Sequence, residues 1–290
     1  MREIEVCWLQ ECIRAACLLE VRAPKPGNVH PQAAFEDLTY DDFVQSTEMI
    51  GPILSQAGRR GTSLSVLEAV RACDAELGRN AQMGIILLLA PLAAVPADIP
   101  LQQGIEAVLD SLTIEDSRRV YQALALMRPG GLGRVAEQDV SQVPSLPLRD
   151  VMRLASERDA VAREYATGFQ TVLHTGVPLL REFRGSGQDW DQSLVRLQLT
   201  LMSRRPDTLI ARKRGPRVAE QAAVRAQAVL DADWPHTTHS RSAIGEFDAW
   251  LRADGHNRNP GTTADLICAS LFAAFRDKHI ALPDVAQLIY

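Results

Sequence analysis

The sequence predicts an all-α fold of about a dozen helices. Apolar residues recur every three or four positions along most of the chain, and no run of alternating apolar and polar residues is long enough for a sheet. Aromatic residues make up only 5% while Ala and Leu abound, a balance that favours helix. The chain has 290 residues, enough for one large domain or two small ones. The continuity of the helical pattern favours one multi-helix domain over 1–290, with a Gly/Pro-rich loop near 129–147 as the best internal boundary.

The first helix is expected from about Ile4 to Glu20, where Val6, Leu9, Ile13, Ala16 and Leu19 share the helical period. Pro24-Lys-Pro-Gly-Asn-Val-His-Pro31 stops it. Thr39 and Asp42 form a Thr-x-x-Asp capping pattern that starts a second helix. A third spans about Ser63 to Leu77. Asn80 then suits the N-cap of an apolar helix beginning at Ala81. Ile85–Leu89 alone would pass for a strand, but its flanks favour helix. Helices near Leu101–Ser111 and Ile114–Met127 precede the loop. After it, one long helix is expected over Leu148–His174. Others follow near Trp190–Ser203, Pro206–Arg214, Arg217–Asp231, Ser242–Ala253 and Thr263–Lys278, with a short piece at Asp284–Ile289.

Lys plus Arg is 31 and Asp plus Glu is 36, a net charge of −5 that argues against a nucleic-acid binder. The longest apolar stretch, Met83–Ala97, is interrupted by Pro91 and Pro96 and falls short of the roughly 18–20 residues that span a bilayer. The N-terminus lacks the pattern of a signal peptide. Five Cys without a pairing pattern are expected to be reduced, mostly buried thiols of a cytoplasmic protein.

Five segments could carry chemistry, and each has a plain structural explanation beside the functional one. Lys25 stands between two prolines with Gly27 and Asn28 following, either a cation on a stiff exposed loop, ready for a phosphate, or a helix-stopping turn. Arg204–Gly215 carries five cations around Asp207. That is more than a capped helix requires and is consistent with a polyphosphate site using Arg205, Arg212 and Lys213. Asn259-Pro-Gly-Thr-Thr-Ala-Asp265 reads as a capping box from Thr262 to Asp265. It also reads as a helix start whose N–H groups and Thr262 and Thr263 hydroxyls take a phosphate while Asp265 holds Mg²⁺. On the expected long helix, Arg158 falls within an apolar face, so it needs an acidic core partner or an anionic ligand. Glu36, Asp37, Asp41 and Asp42 cluster after the Lys25 loop. They suit a Mg²⁺-nucleotide or, for Asp41 and Asp42 especially, a solvated helix start.

At Lys25-Pro-Gly, Arg205-Pro-Asp-Thr, Ala211-Arg-Lys-x-Gly and Asn259-Pro-Gly-Thr-Thr-Ala-Asp265, in this order, the chain resembles the triphosphoribosyl-dephospho-CoA synthase family, over about Ala15 to Phe275. The resemblance implies an all-α fold. It also implies a reaction that moves the triphosphoribosyl group of ATP to the 2′-hydroxyl of dephospho-CoA with release of adenine. The product is the prosthetic-group precursor of acyl carrier subunits of decarboxylation systems. The chain departs from the family's Lys-Pro-Gly-Leu-Val-Asp in ending Asn28-Val29-His30. It departs again where Gly-Gly-Val-Asn-Thr-His-Lys-Gly is reduced to Arg79-Asn80-Ala-Gln82-Met-Gly84. It is similar in this to a divergent branch linked to tetrahydromethanopterin-dependent C1 metabolism, and the acceptor does not carry over.

Such chemistry builds positive charge at the ribose C1′. It needs a carboxylate near that carbon, a donor at the departing adenine, a base for the incoming hydroxyl, and cations with Mg²⁺ on the triphosphate. On this basis Lys25, Arg205, Arg212 and Lys213 are expected at the triphosphate. Asp207 and Asp265 are the expected metal or oxocarbenium-side carboxylates, Asn80 and Asn259 positioners, and Asp37 and His30 base or metal groups. The expected partners are small-molecule nucleotides, namely ATP and dephospho-CoA or a related acceptor. Neither nucleic acid nor membrane is expected, and a homodimer is left open. Two other classes stay open: a helical Mg²⁺-dependent phosphohydrolase or nucleotidase, and a non-catalytic nucleotide-binding subunit.

Overall fold

The computed structural model describes residues 3–78, 82–127 and 138–288. Among them fifteen α-helices run in order. They are α1 (Glu3–Arg22), α2 (Tyr40–Leu54), α3 (Ala57–Arg60), α4 (Thr62–Leu77), α5 (Met83–Ala94), α6 (Leu101–Asp110), α7 (Ile114–Met127) and α8 (Leu148–Ala155). Then come α9 (Ala160–Thr167), α10 (Val177–Gly185), α11 (Trp190–Arg204), α12 (Thr208–Arg214), α13 (Pro216–Asp231), α14 (Thr238–Arg252) and α15 (Gly261–Arg276). A π-helical turn (Val172–Gly176), a 3-10 turn (Val285–Leu288) and one four-residue strand (Ala253–His256) complete the described elements. The architecture is all-α, and no helix among the described residues is long and apolar enough to cross a membrane.

Two helices from opposite ends of the chain form the centre. α1 and α15 pack side by side, and α2, α5, α10 and α11 pack around them. Ile13, Ala16 and Cys17 of α1 and Cys268, Leu271 and Phe272 of α15 are fully buried. Each large apolar side chain removed from water contributes about 1.5–3 kcal/mol. A second, smaller core joins α11 to α12, α13 and α14 through Val195, Leu199, Ile210, Ala222 and Phe247.

Local chemistry explains the boundaries. Thr39 accepts from the Asp42 N–H at 3.3 Å, and the Asp42 carboxylate accepts from the Thr39 N–H at 2.8 Å, so the expected capping box forms. α1 ends where Pro24 and Pro26 withdraw N–H donors. Gly27 then turns the chain at φ +73°, where a Cβ would press into Leu251. Asn80, the expected cap of the apolar helix, lies outside the described residues, as do residues 129–137 of the Gly/Pro-rich loop expected near 129–147. The first described residue before α5 is Gln82, which bonds sideways to α2 instead of capping, donating to the Phe43 carbonyl at 3.2 Å and to the Thr47 hydroxyl at 3.1 Å.

The expected long helix Leu148–His174 is not continuous. α8 stops at Ala155, and Asp159 caps a new helix by accepting the Ala162 N–H at 3.1 Å. Gly168 then takes a left-handed turn at φ +66°. The face on which Arg158 was placed therefore does not exist. Arg158 is exposed and donates to the Leu154 carbonyl at 3.2 Å. The buried arginine of this region is Arg149, which pairs with Glu106 at 2.6 Å and with Asp110.

Candidate functional site

A cavity of about 700 Å³ opens between the two ends of the chain, well within the range of small-molecule sites. One end is polar. It is lined by Glu20 from α1, Asn28 from the following loop, Gly84 at the start of α5, Arg212 and Lys213 from α12, and Asn259, Thr262 and Asp265 around the start of α15. The lining also has an apolar part, built by Val120 and Leu124 of α7, Val151, Met152 and Ala155 of α8, and Val161 of α9.

Asp265 lines the cavity from near the start of α15. The capping box expected from Thr262 to Asp265 does not form, because α15 already starts at Gly261. Asp207 brackets that start instead, accepting the Thr263 N–H and the Thr263 hydroxyl, each at 2.7 Å. Released from capping, the Asp265 carboxyl lines the cavity and accepts no hydrogen bond from the described residues. Burial, followed by the negative charges of Glu20, Asp207 and Asp159, pushes it well above the usual carboxylate range, against the pull of Arg212. α5 approaches so closely that a Cβ on Gly84 would collide with this carboxyl.

Asp207 has no such freedom. One oxygen accepts the N–H groups of Leu209 at 2.8 Å and Ile210 at 3.0 Å, and the other takes both donors of Thr263. Four hydrogen bonds use the acceptor capacity of a carboxylate. Asp207 and Thr263 thus brace α12 against α15 and do not line the cavity, which corrects the metal or catalytic role expected of Asp207 and the phosphate role expected of Thr263.

Lys25 is a second correction. It is fully buried and not on an exposed loop. Its ammonium pairs with the Glu20 carboxylate at 2.9 Å and also donates to the Glu20 carbonyl. It therefore stands behind the wall of the cavity, and Glu20 faces the cavity in front of it. Gly27 also lies behind the wall, its N–H donating to Asp248 at 2.7 Å. Asn28 does reach the cavity. Its amide donates to the Asn259 side-chain carbonyl at 2.7 Å and accepts from Gln198 at 2.8 Å, which ties the Lys25 loop to the α15 entry.

The cations of Arg204–Arg214 disperse. Arg205 is exposed and away from the cavity, and Arg214 pairs with Asp254 at 2.8 Å. Arg212 pairs with Asp159, the cap of α9, yet its Nε is buried without a partner. Lys213 is half-buried, donates to the His256 carbonyl at 3.3 Å, and is pushed below the ordinary lysine range by burial. Asp37 is at the rim, 3.1 Å from His256 Nδ1. His30 is not among the lining residues. Its Nδ1 lies 3.0 Å from Gln32, and burial lowers its pKa. Arg158 lines the cavity from the α8–α9 break.

Sequence reasoning missed Glu20, Asp159, Gly84 and His256. Glu20 had a detectable signal: it follows the buried Ile13, Ala16 and Cys17 at helical spacing, so a carboxylate there falls on the inward face. For a resident metal site the donor set does not fit. No group of three or more His, Cys, Asp or Glu converges as a metal site among the described residues, and Asp207 is saturated.

Comparison with known proteins follows the same lines. The sequence model of the ATP:dephospho-CoA triphosphoribosyl transferase family matches residues 7–283. The chain is 23% identical over 278 residues to the 2-(5''-triphosphoribosyl)-3'-dephosphocoenzyme-A synthase of Escherichia fergusonii, covering 90% of this chain and 88% of that one. It is 33% identical over 138 residues to a Pseudomonas fluorescens protein named as a probable synthase of the same kind, a match that spans 48% of this chain and less than half, 45%, of that protein. A crystal structure from Archaeoglobus fulgidus, provisionally assigned to the triphosphoribosyl-dephospho-CoA synthases, matches with a TM-score of 0.62 and 26% identity, covering 81% of this chain and 98% of that one.

Proposed function

Because this chain belongs to the ATP:dephospho-CoA triphosphoribosyl transferase family, we propose that it is a pentosyltransferase whose cavity binds ATP and moves the triphosphoribosyl group from adenine to a hydroxyl of dephospho-CoA or a related acceptor. The observation that carries this reading is the make-up of the lining, where an unbonded carboxyl, Asp265, faces Arg212 and shares the cavity with Lys213 and the start of α15.

The triphosphate takes the cationic side. Arg212 lines the cavity with its guanidinium, Lys213 supplies an ammonium, and the first turn of α15 presents Gly261 and Thr262. Helix N-termini favour anions, and charge-assisted bonds to phosphate are the strong ones. Mg²⁺ enters with the triphosphate as part of the substrate. Asn28 and Asn259 position the ribose. Asp265 faces the scissile bond between C1′ and adenine, where a carboxyl that burial keeps neutral can donate a hydrogen bond to the departing base. The apolar wall of α7, α8 and α9 takes the uncharged parts of donor and acceptor. Both ends of the chain supply the pocket, so residues 1–290 act as one functional unit.

The test is product analysis by mass spectrometry after incubation with Mg·ATP and dephospho-CoA or related alcohols. Free adenine together with an acceptor heavier by one triphosphoribosyl group is the expected result. Free phosphate with no adenine identifies a phosphohydrolase, and nucleotide binding without turnover on any acceptor identifies a non-catalytic subunit.

A further inference from the structure

Glu20 is the residue that the functional reading does not yet use. It ends the buried stripe of α1, its side chain is 4% exposed, and what it exposes faces the cavity. Burying an ion pair is costly, and the pair Lys25–Glu20 sits where a hydrophobic pair would fill the same space at least as stably. Lys25 itself touches nothing in the cavity. The arrangement delivers one thing a hydrophobic pair would not, a carboxylate beside Asp265.

We propose that Glu20, held by Lys25, is a second catalytic carboxylate, and that Glu20 and Asp265 divide the proton transfers of the reaction, Glu20 as base and Asp265 as acid. This rests on the transferase reading above. The charged and titratable groups that face Asp265 are Glu20 from α1, Asp159 at the start of α9, Asp207 and Arg212 on either end of α12, and the neighbouring thiol of Cys268 on its own helix, itself 3.7 Å from Cys17 of α1. Burial and three of those carboxylates favour the neutral form of Asp265, whereas the Glu20 carboxylate has the Lys25 ammonium 2.9 Å away as its ion-pair partner. Two carboxyls in such different surroundings, one ion-paired and one among other carboxylates, are the usual basis for a base and an acid in one site.

The steps balance. The acceptor oxygen bonds to C1′ as the C1′–N9 bond breaks, and the electron pair of that bond leaves with adenine. The hydroxyl proton passes to Glu20. Asp265 gives its proton to the departing adenine. Between turnovers the proton on Glu20 passes to Asp265, and both groups regain their starting forms without any further reactant.

The experiment measures adenine release and Mg·ATP affinity for the wild type, Glu20→Gln, Asp265→Asn and the double variant Glu20→Gln/Lys25→Met. The double variant removes the buried pair without stranding a charge, so it keeps the test available if Glu20→Gln alone fails to fold. General acid or base catalysis contributes about 10²–10⁴-fold. A loss of that size in kcat, with ATP affinity within about threefold of wild type, is expected for each carboxylate variant and for the double variant. The wild-type kcat should rise and then fall with pH, and Asp265→Asn should lose the alkaline fall. A double variant that turns over like wild type overturns the inference, as does a flat wild-type pH profile. So does a Glu20→Gln defect that saturating Mg²⁺ repairs, because it would make Glu20 a metal ligand. Absence of adenine release from the wild type itself would instead overturn the transferase reading.

Discussion

In the proposed reading, Lys213 is the cation on which phosphate binding turns. Burial holds its ammonium below the ordinary lysine range, Asp37 opposes that shift and Arg212 adds to it. A lysine with a lowered pKa loses its proton as pH rises through a value beneath the usual ~10.4. Affinity for Mg·ATP should therefore be full near neutrality and fall on the alkaline side earlier than for an exposed lysine. Titration calorimetry of Lys213→Ala should show at least about tenfold weaker binding, and Lys213→Arg should carry the alkaline fall to higher pH, since guanidinium keeps its proton. Unchanged affinity in Lys213→Ala would remove this residue from the phosphate site. Asp207 shows the limit of reading single residues. Its type and place between cations suggested a ligand, but two helix starts claim both of its oxygens.

Among the elements, the contact between α5 and α15 governs the site. Gly84 lets the first turn of α5 lie against the Asp265 carboxyl, where a methyl group would collide. Gly84→Ala should displace that carboxyl or the helix start. Overpacking costs typically about 1–3 kcal/mol, so a lower Tm together with a reduced rate of adenine release is the expected outcome, read by thermal unfolding and by the same product assay. A variant matching wild type in both would show that α5 does not set the position of Asp265. Helix periodicity located most elements within a few residues but failed over Leu148–His174. An apolar stripe can continue in projection across a break, and only the Asp159 cap and the left-handed Gly168 reveal that the helix restarts. The same projection placed Arg158 within an apolar face of one long helix, whereas it lines the cavity from the break between α8 and α9. Applied to α1 it would have placed Glu20 inward, correctly.

At the scale of the whole molecule, the all-α class was readable because helical bonding is local, while the site was only half readable because it is assembled over long separations. Asn28 and Asn259 stand 231 residues apart and share a hydrogen bond. Motif composition drew attention to the right loops, but not to which side chain of each loop faces the cavity. Lys25 has the chemistry of a phosphate ligand and stands behind the wall, where Glu20 neutralises it. Such a division depends on which helices pack together, and α1 beside α15 is a tertiary fact.

On the proposed reaction, the bond between adenine and C1′ of ATP breaks in this cavity and the ribose moves with its phosphates intact. The most direct measurement follows ATP carrying ¹³C throughout the ribose, incubated with Mg²⁺ and acceptor and resolved by mass spectrometry. The expected products are unlabelled free adenine and an acceptor that gains all the ribose label together with three phosphoryl groups. Label that stays joined to adenine in ADP or AMP, with the acceptor unchanged, would contradict it.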